Sequence, residues 1–210
     1  MRWRYVWKRK KAITVRKGQI VRKTRETDIT VTLSLDTQGK ADVQTGIGFF
    51  DHMLTSFCRF GMIDLTVRCH GDLEVDGHHT VEDVGICIGQ ALREALGDKR
   101  GIRRMAHAMV PMDEALALAA LDISGRPMLC FDASFGTAQV GGFDTELAEE
   151  FFRAVAVAAG LTLHLRMMAG RNAHHMLEAM FKAFGRALDD ATRLDERLEG
   201  MVPSTKGILA

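Results

Sequence analysis

Residues 28–35 alternate: Ile29, Val31, Leu33 and Leu35 are apolar, and the residues between them are Asp, Thr or Ser. That two-residue period is the signature of a half-buried strand. A Gln38-Gly39 turn follows. Over 46–59 the period changes, because Phe49, Phe50, Met53, Leu54 and Phe57 recur at helical spacing and predict a helix with those side chains inward. Residues 63–67 predict a second strand. An apolar run opening near His78 predicts a helix that stops at Gly97, read as a left-handed cap. The pattern then restarts, with strands over about 114–123 and 128–131, a helix over 147–159, a strand over 161–165 and a helix from His174 to about Ala191.

The two runs register. Ile63-Asp64-Leu65-Thr66-Val67 matches Leu161-Thr162-Leu163-His164-Leu165, and His52 on the first helix falls near Glu150 on its counterpart. Each half reads strand, strand, helix, strand, helix. The fold class expected is therefore α+β, a tandem duplication of one small unit with its sheet packed against its helices. The halves are placed at 21–104 and 105–195, between a tail over 1–20 and a C-terminal segment over 196–210.

Composition narrows the classes. With 210 residues, 47% of them hydrophobic, the chain can bury a substantial core. A net charge of +1 gives no global drive toward nucleic acid, and no run is long enough to span a membrane. The cysteines, Cys58, Cys69, Cys87 and Cys130, lack C-x-x-C spacing and sit in apolar segments, so they are expected to be buried free thiols in a reducing, cytoplasmic setting. Residues 1–25 are basic and carry Trp3, Tyr5 and Trp7. They lack the features of a signal or transit peptide and are read as a solvated tail leading into an edge strand, with a nucleic-acid arm as the alternative.

The chemistry lies in a phrase written twice, His78-His79-Thr80-Val81-Glu82 and His174-His175-Met176-Leu177-Glu178, each at the start of a predicted helix. On a helix, residues four apart share a face, so His78 with Glu82, and His174 with Glu178, can each grip one cation. His79 and His175 lie about 100° further round and call for a second ion. One such phrase is more often a solvated feature; two matched copies point to a two-metal site. His52 and Glu150, each one helix before a copy, are the natural completions of the ligand sets. Imidazole and carboxylate without thiolate favour Mn²⁺, with Zn²⁺, Fe²⁺ and Co²⁺ as competitors. Arg103-Arg104 after Gly101, Arg126 before Pro127, Lys182 one turn beyond Glu178, and Ser204-Thr205-Lys206-Gly207 suggest a phosphate clasp, although each alone is commoner as surface charge.

Five segments carry a resemblance: Gly46 through Leu54, Asp76-Gly77-His78-His79-Thr80-Val81-Glu82-Asp83, Pro111-Met112-Asp113-Glu114-Ala115, Asn172 through Phe184, and Pro203-Ser204-Thr205-Lys206-Gly207. From about Arg22 onward the chain resembles the imidazoleglycerol-phosphate dehydratases. The resemblance implies a duplicated unit like domain 2 of ribosomal protein S5 and the dehydration of imidazoleglycerol phosphate to imidazoleacetol phosphate. It implies two Mn²⁺ per subunit, one held by His52, His79, His174 and Glu178, the other by His78, Glu82, His175 and Glu150. Glu26 matches the family's acid/base glutamate, and Arg104, Arg126, Lys182, Ser204 and Lys206 its phosphate ligands. The partner implied is a phosphorylated imidazole, together with self-association into trimers and a particle of about 24 chains. The chain departs from the pattern at Glu150 and Phe60, where the family often has His, and at Gly77, where Asp is common. His70 and His107 match no ligand position. A dinuclear hydrolase and a nucleic-acid module remain the alternatives of other classes.

Overall fold

The computed structural model describes residues 15–209. Most of the basic tail, with Trp3, Tyr5 and Trp7, lies outside the described residues. The first half contains β1 (Lys17–Lys23), β2 (Thr27–Ser34), β3 (Ala41–Gln44), α1 (Gly48–Gly61), β4 (Asp64–Gly71) and α2 (His78–Leu96). The second contains β5 (Met105–Met112), β6 (Ala115–Asp122), β7 (Met128–Asp132), a short hairpin of β8 (Gln139–Val140) and β9 (Phe143–Asp144), α3 (Leu147–Ala159), β10 (Thr162–Ala169) and α4 (Ala173–Thr192). Before the first helix of each half the structure has strands that the periodicity did not place, β1 and β3 in the first half, β5 and the β8–β9 hairpin in the second. Of these, β1, β3 and β5 are all at sheet edges. An edge strand is held by one neighbour and half-solvated, so it carries a weaker pattern; Pro111 in β5 is tolerated for the same reason. β1 also begins inside the stretch expected to be tail.

The duplication is visible in the topology. The sheets run β1-β2-β4-β3 and β5-β6-β10-β7, and in each the last pair is parallel and the others antiparallel. The inward rows supply the core: Ile29, Val31 and Leu33 from β2, Leu65 and Val67 from β4, Leu163 and Leu165 from β10 are buried. The outward rows differ in kind. Across the first sheet one row reads Gln19, Thr32, Thr66, Asp42, whereas the corresponding row of the second reads His107, Ala120, His164, Cys130. Cys130 is thus exposed, against expectation, because it takes the outward position on β7; Cys58, Cys69 and Cys87 are buried.

The helices lie between the sheets, and they pair across the halves, α1 with α4 and α2 with α3. Glycines set both crossings. A Cβ on Gly185 of α4 would lie 2.6 Å from the Phe57 carbonyl of α1, and one on Gly61 would lie 3.3 Å from Gly185 Cα. On the other pair, a Cβ on Gly89 of α2 would lie 2.8 Å from the Val155 carbonyl of α3. Around these contacts Phe57 stacks on Phe184 at 5.3 Å, and Phe151, Phe152 and Phe181 form an aromatic centre. Gly97 ends α2 at φ 54, ψ −127 rather than in the expected left-handed helical region, a conformation still open chiefly to glycine.

Gly185→Ala should force α1 and α4 apart, since the obstructing atom is backbone and cannot rotate away. A loss of about 1–3 kcal/mol is expected from overpacking of this kind, read as a lower midpoint in chemical denaturation of metal-free protein.

Candidate metal centre

The cross-pairing of helices brings His52 of α1 to the start of α4. His52 Nε2 lies 3.3 Å and His174 Nε2 3.2 Å from the same oxygen, Oε2 of Glu178. Among the described residues this is the one group of three metal-ligating side chains whose donor atoms lie within 4.8 Å of one another. Phe49 meets the His174 ring edge-on at 5.2 Å and lies tilted against Phe143 of the β8–β9 hairpin, which has no counterpart in the first half.

Glu178 is buried, and its other oxygen is also committed. Oε1 accepts from Lys182 Nζ at 2.8 Å and from Ser56 Oγ at 3.4 Å. Burial pushes its carboxyl up, but the hydrogen bonds and charge from Lys182 and then His52 outweigh this and hold it below the usual carboxylate range. The trio fits a divalent ion of hard or borderline character: two imidazoles and one carboxylate already turn their nitrogen and oxygen atoms to a common point. The thiols are not alternative ligands, for burial raises Cys58 and Cys87 to about 12 and Cys69 to about 11.

Both helix starts are built alike. Asn172 accepts from the His174 N–H at 2.9 Å and the His175 N–H at 3.4 Å, and Asp76 accepts from the His78 N–H at 2.7 Å. An Asx side chain two residues ahead fixes the first turn and so the direction of the histidine pair. The second histidine of each pair is then held by a carboxylate on Nδ1: His79 by Asp72 at 3.0 Å, His175 by Glu114 at 2.8 Å. These contacts leave Nε2 as the free donor of each ring. They raise both imidazole pKa values, with the hydrogen bond as the main cause, and hold Glu114 down to about 2. Glu114 also accepts the N–H groups of Arg171 and Asn172, at 3.1 and 2.7 Å, and so ties the β5–β6 turn to the start of α4. Asp72 and Glu114 were not singled out in the sequence. Glu114 lies inside the Pro111–Ala115 motif and was legible there; Asp72 had no such signal.

Glu26 sits in the β1–β2 turn, where the Thr24 hydroxyl accepts the N–H groups of Glu26 and Thr27 at 3.1 and 2.9 Å. The turn is pinned to α2 through Asp83, which pairs with Arg22 at 2.9 Å and Thr27 Oγ1 at 2.5 Å. This places Glu26 Oε1 3.8 Å from His79 Nε2, and Asp113 stands in a similar position, 3.6 Å from His175 Nε2.

Within one chain the expected ligand sets are only partly gathered. His79 stands with Asp72 and Glu26 on α2 rather than with His52, His174 and Glu178. His78 and Glu82 approach to 3.9 Å, while Glu150, on the helix packed against theirs, lies 3.8 Å from Arg153. The expected phosphate residues gather elsewhere. Arg104 forks Asp122 at 2.7 and 2.9 Å and donates to the Pro203 carbonyl at 2.8 Å, just before Ser204, Thr205 and Lys206; Arg126 reaches 4.0 Å from the same Asp122. The Arg104 N–H is bonded to Ala191 at the far end of α4. From His175 to Ala191 the helix rises roughly 24 Å at 1.5 Å per residue. Lys182 lies midway, on Glu178.

Comparisons with known proteins point to one family. The family model described as imidazoleglycerol-phosphate dehydratase matches residues 45–188. The imidazoleglycerol-phosphate dehydratase of Acetivibrio thermocellus is 60% identical over 194 residues, covering 92% of this chain and 99% of that protein. That of Symbiobacterium thermophilum is 63% identical over 198 residues, 94% and 95% of the two chains. The crystal structure of imidazoleglycerol-phosphate dehydratase from Staphylococcus aureus superposes with a TM-score of 0.78 at 44% identity, covering 85% of this chain and 99% of that one. The structure from Pyrococcus furiosus, in complex with (S)-C348, gives 0.78 at 39% identity, with 90% and 100% covered.

The raised pKa values of His79 and His175 fix a pH dependence. Each histidine–carboxylate pair stabilises the metal-free fold below the ordinary imidazole value, where the ring is charged in both states, and this is lost as pH rises through the raised value. Asp72→Asn should therefore lower Tm more at about pH 5.5 than at about pH 8.5, either side of the ordinary imidazole range. Equal losses at both, by calorimetry of chelated protein, would show that the pair is not coupled to titration.

Proposed function

The chain belongs to the imidazoleglycerol-phosphate dehydratase family, hydro-lyases of histidine biosynthesis, and we propose that it dehydrates D-erythro-imidazoleglycerol phosphate to imidazoleacetol phosphate using two divalent ions per subunit, Mn²⁺ by preference. The observation that carries this reading is the convergence of His52, His174 and Glu178, drawn from both halves, on one point. A second copy's His79 would complete that set. His78 and Glu82, with Glu150 on the adjoining helix and a neighbouring copy's His175, would form the other. When bound, the ions supply Lewis-acid polarisation of the imidazole and a template for ring and hydroxyl.

The chain's own residues carry the rest. The hydroxyl next to the ring leaves with a proton as water, and the proton on the neighbouring carbon passes to the Glu26 carboxylate. The resulting enol takes a proton on the carbon beside the ring and becomes the ketone. Arg104, Arg126, Ser204, Thr205 and Lys206 of one copy, with Lys182 of the copy that supplies the trio, bind the phosphate, which does not react, and so orient the part that does. Asp122 holds Arg104 in place through both its N–H groups.

Two features support sites shared between copies. The roughly 24 Å along α4 between the histidines and the phosphate residues exceeds what one small substrate spans, so the two groups meet only if they come from different chains. The second sheet also presents Met105, Met109, Met128 and Met168 outward, where the first sheet is polar. An apolar face of that kind fits self-association. Assembly is proposed as trimers that close, with metal, into a particle of about 24 chains with cubic symmetry. Among the described residues no helix is long and apolar enough to cross a membrane, and a cytoplasmic biosynthetic role is the location proposed.

Glu26→Gln should retain metal and substrate binding and lose roughly 10²–10⁴ in kcat, the usual worth of a positioned base; an unchanged kcat would place the base elsewhere. His79→Ala and His174→Ala should each be inactive alone. Chelated, mixed and reassembled with Mn²⁺, they should regain up to about a quarter of wild-type activity, because some sites then draw intact residues from each kind of chain. No recovery in well-mixed particles would overturn the shared site.

A further inference from the structure

Among the described residues, Lys182 is the one Lys or Arg paired with the His52–His174–Glu178 trio. It lies four residues after Glu178 on α4, is largely buried, and directs its ammonium at three partners. Nζ is 2.8 Å from Glu178 Oε1, 3.3 Å from Met112 Sδ and 5.2 Å from the centre of the Phe60 ring. An ammonium has three N–H donors, and these partners stand around it. Phe60 stands in the last turn of α1, next to Gly61, where α1 and α4 approach most closely, so the helix crossing itself delivers the ring to the lysine. The ring is 41% exposed. The covered part of the residue includes the ring face turned to Lys182.

We infer that Phe60 is a positioning residue: its ring face, with Met112 Sδ, holds the Lys182 ammonium on Glu178 Oε1, so that the carboxylate presents only Oε2 to His52 and His174. The physical reasoning is about rotation. A carboxylate bonded at one oxygen alone turns easily about its terminal torsion, and in a partly dry site the unbonded oxygen seeks any donor. With Lys182 caged and Ser56 on the same oxygen, Glu178 is held in one plane before any ion arrives. Loosening the cage leaves all three metal-facing residues in the chain but makes their arrangement one of several. The cost falls on the affinity of the trio for a cation. Lys182 is then an anchor for a ligand carboxylate in the metal-free chain, a role distinct from binding the substrate phosphate.

The metal half of this inference rests on the function proposed above; the cage does not, and two measurements separate them. The first is acetylation of lysines in folded, metal-free protein by a water-soluble acetylating reagent, followed by peptide mass spectrometry. Phe60→Leu keeps an apolar side chain and removes the ring face; Phe60→Tyr keeps the face. Lys182 should react roughly three- to tenfold faster in Phe60→Leu than in wild type, the range expected for a partly exposed cation–π contact, with Phe60→Tyr near wild type and Lys23 and Lys40 unchanged as internal references. Equal rates at Lys182 in wild type and Phe60→Leu would overturn the cage. The second is Mn²⁺ titration with free ion counted by electron paramagnetic resonance. Phe60→Leu should bind roughly three- to tenfold more weakly and Phe60→Tyr like wild type. Faster acetylation with unchanged or tighter Mn²⁺ binding would overturn the positioning role. Failure of wild type itself to bind Mn²⁺ would count against the metal reading, with the acetylation result still deciding the cage.

Discussion

Helices α1 and α4 meet where neither carries a side chain, and the arrangement of the site follows from that contact. The Gly185 Cα faces the Phe57 carbonyl and Gly61 across a gap that no Cβ fits. The two halves are thereby locked helix to helix, with a sheet on either outer side. Because α1 belongs to the first half and α4 to the second, His52 is carried to a motif that lies far along the chain. The same rule operates between α2 and α3 at Gly85 and Gly89, which face the Phe151 and Val155 carbonyls. Each half thus packs a helix against the other's histidine-bearing helix, and at the start of α4 this gathers a trio of side chains from both.

That geometry puts imidazoles at the beginnings of helices, where the macrodipole is positive and a cation is disfavoured. The protein offsets this with carboxylates. Glu178 lies one turn in from His174, Asp72 and Glu114 hold the second histidine of each pair, and Glu26 and Asp113 stand beyond them. Glu178 is itself oriented by Lys182 and Ser56, Glu114 by backbone N–H groups, and Glu26 stands on a threonine-closed turn. The result is a site whose donor directions are set by a second layer of contacts rather than by the ligands alone.

The halves have also diverged, and the divergence is functional in character. His52 and Glu150 occupy equivalent helices, yet His52 joins a compact trio and Glu150 is engaged by Arg153. The β8–β9 hairpin exists only in the second half, where Phe143 supports Phe49 and Phe50 beside His174. The second sheet turns Met105, Met109, Met128 and Met168 outward, where the first exposes mostly polar side chains.

Local periodicity and spacing were enough to reveal the repeat, the central strands, all four helices and the two His-His-x-x-Glu phrases, because alternation, helical spacing and i, i+4 pairing are properties of short segments. The quoted motifs were enough to suggest the family. Edge strands were less legible, since half-solvated strands need no strict alternation, and Cys130 was misjudged because an apolar neighbourhood in sequence does not say which face of a strand is covered. What only the tertiary structure decided is which pieces meet. It set His52 beside Glu178 rather than beside its own half's Glu82, put Lys182 on the Glu178 carboxylate near Phe60, and separated Arg104 from the histidines by the length of α4. Those outcomes depend on a backbone contact between helices distant in sequence, and no local pattern encodes which helix of a duplicated pair packs against which.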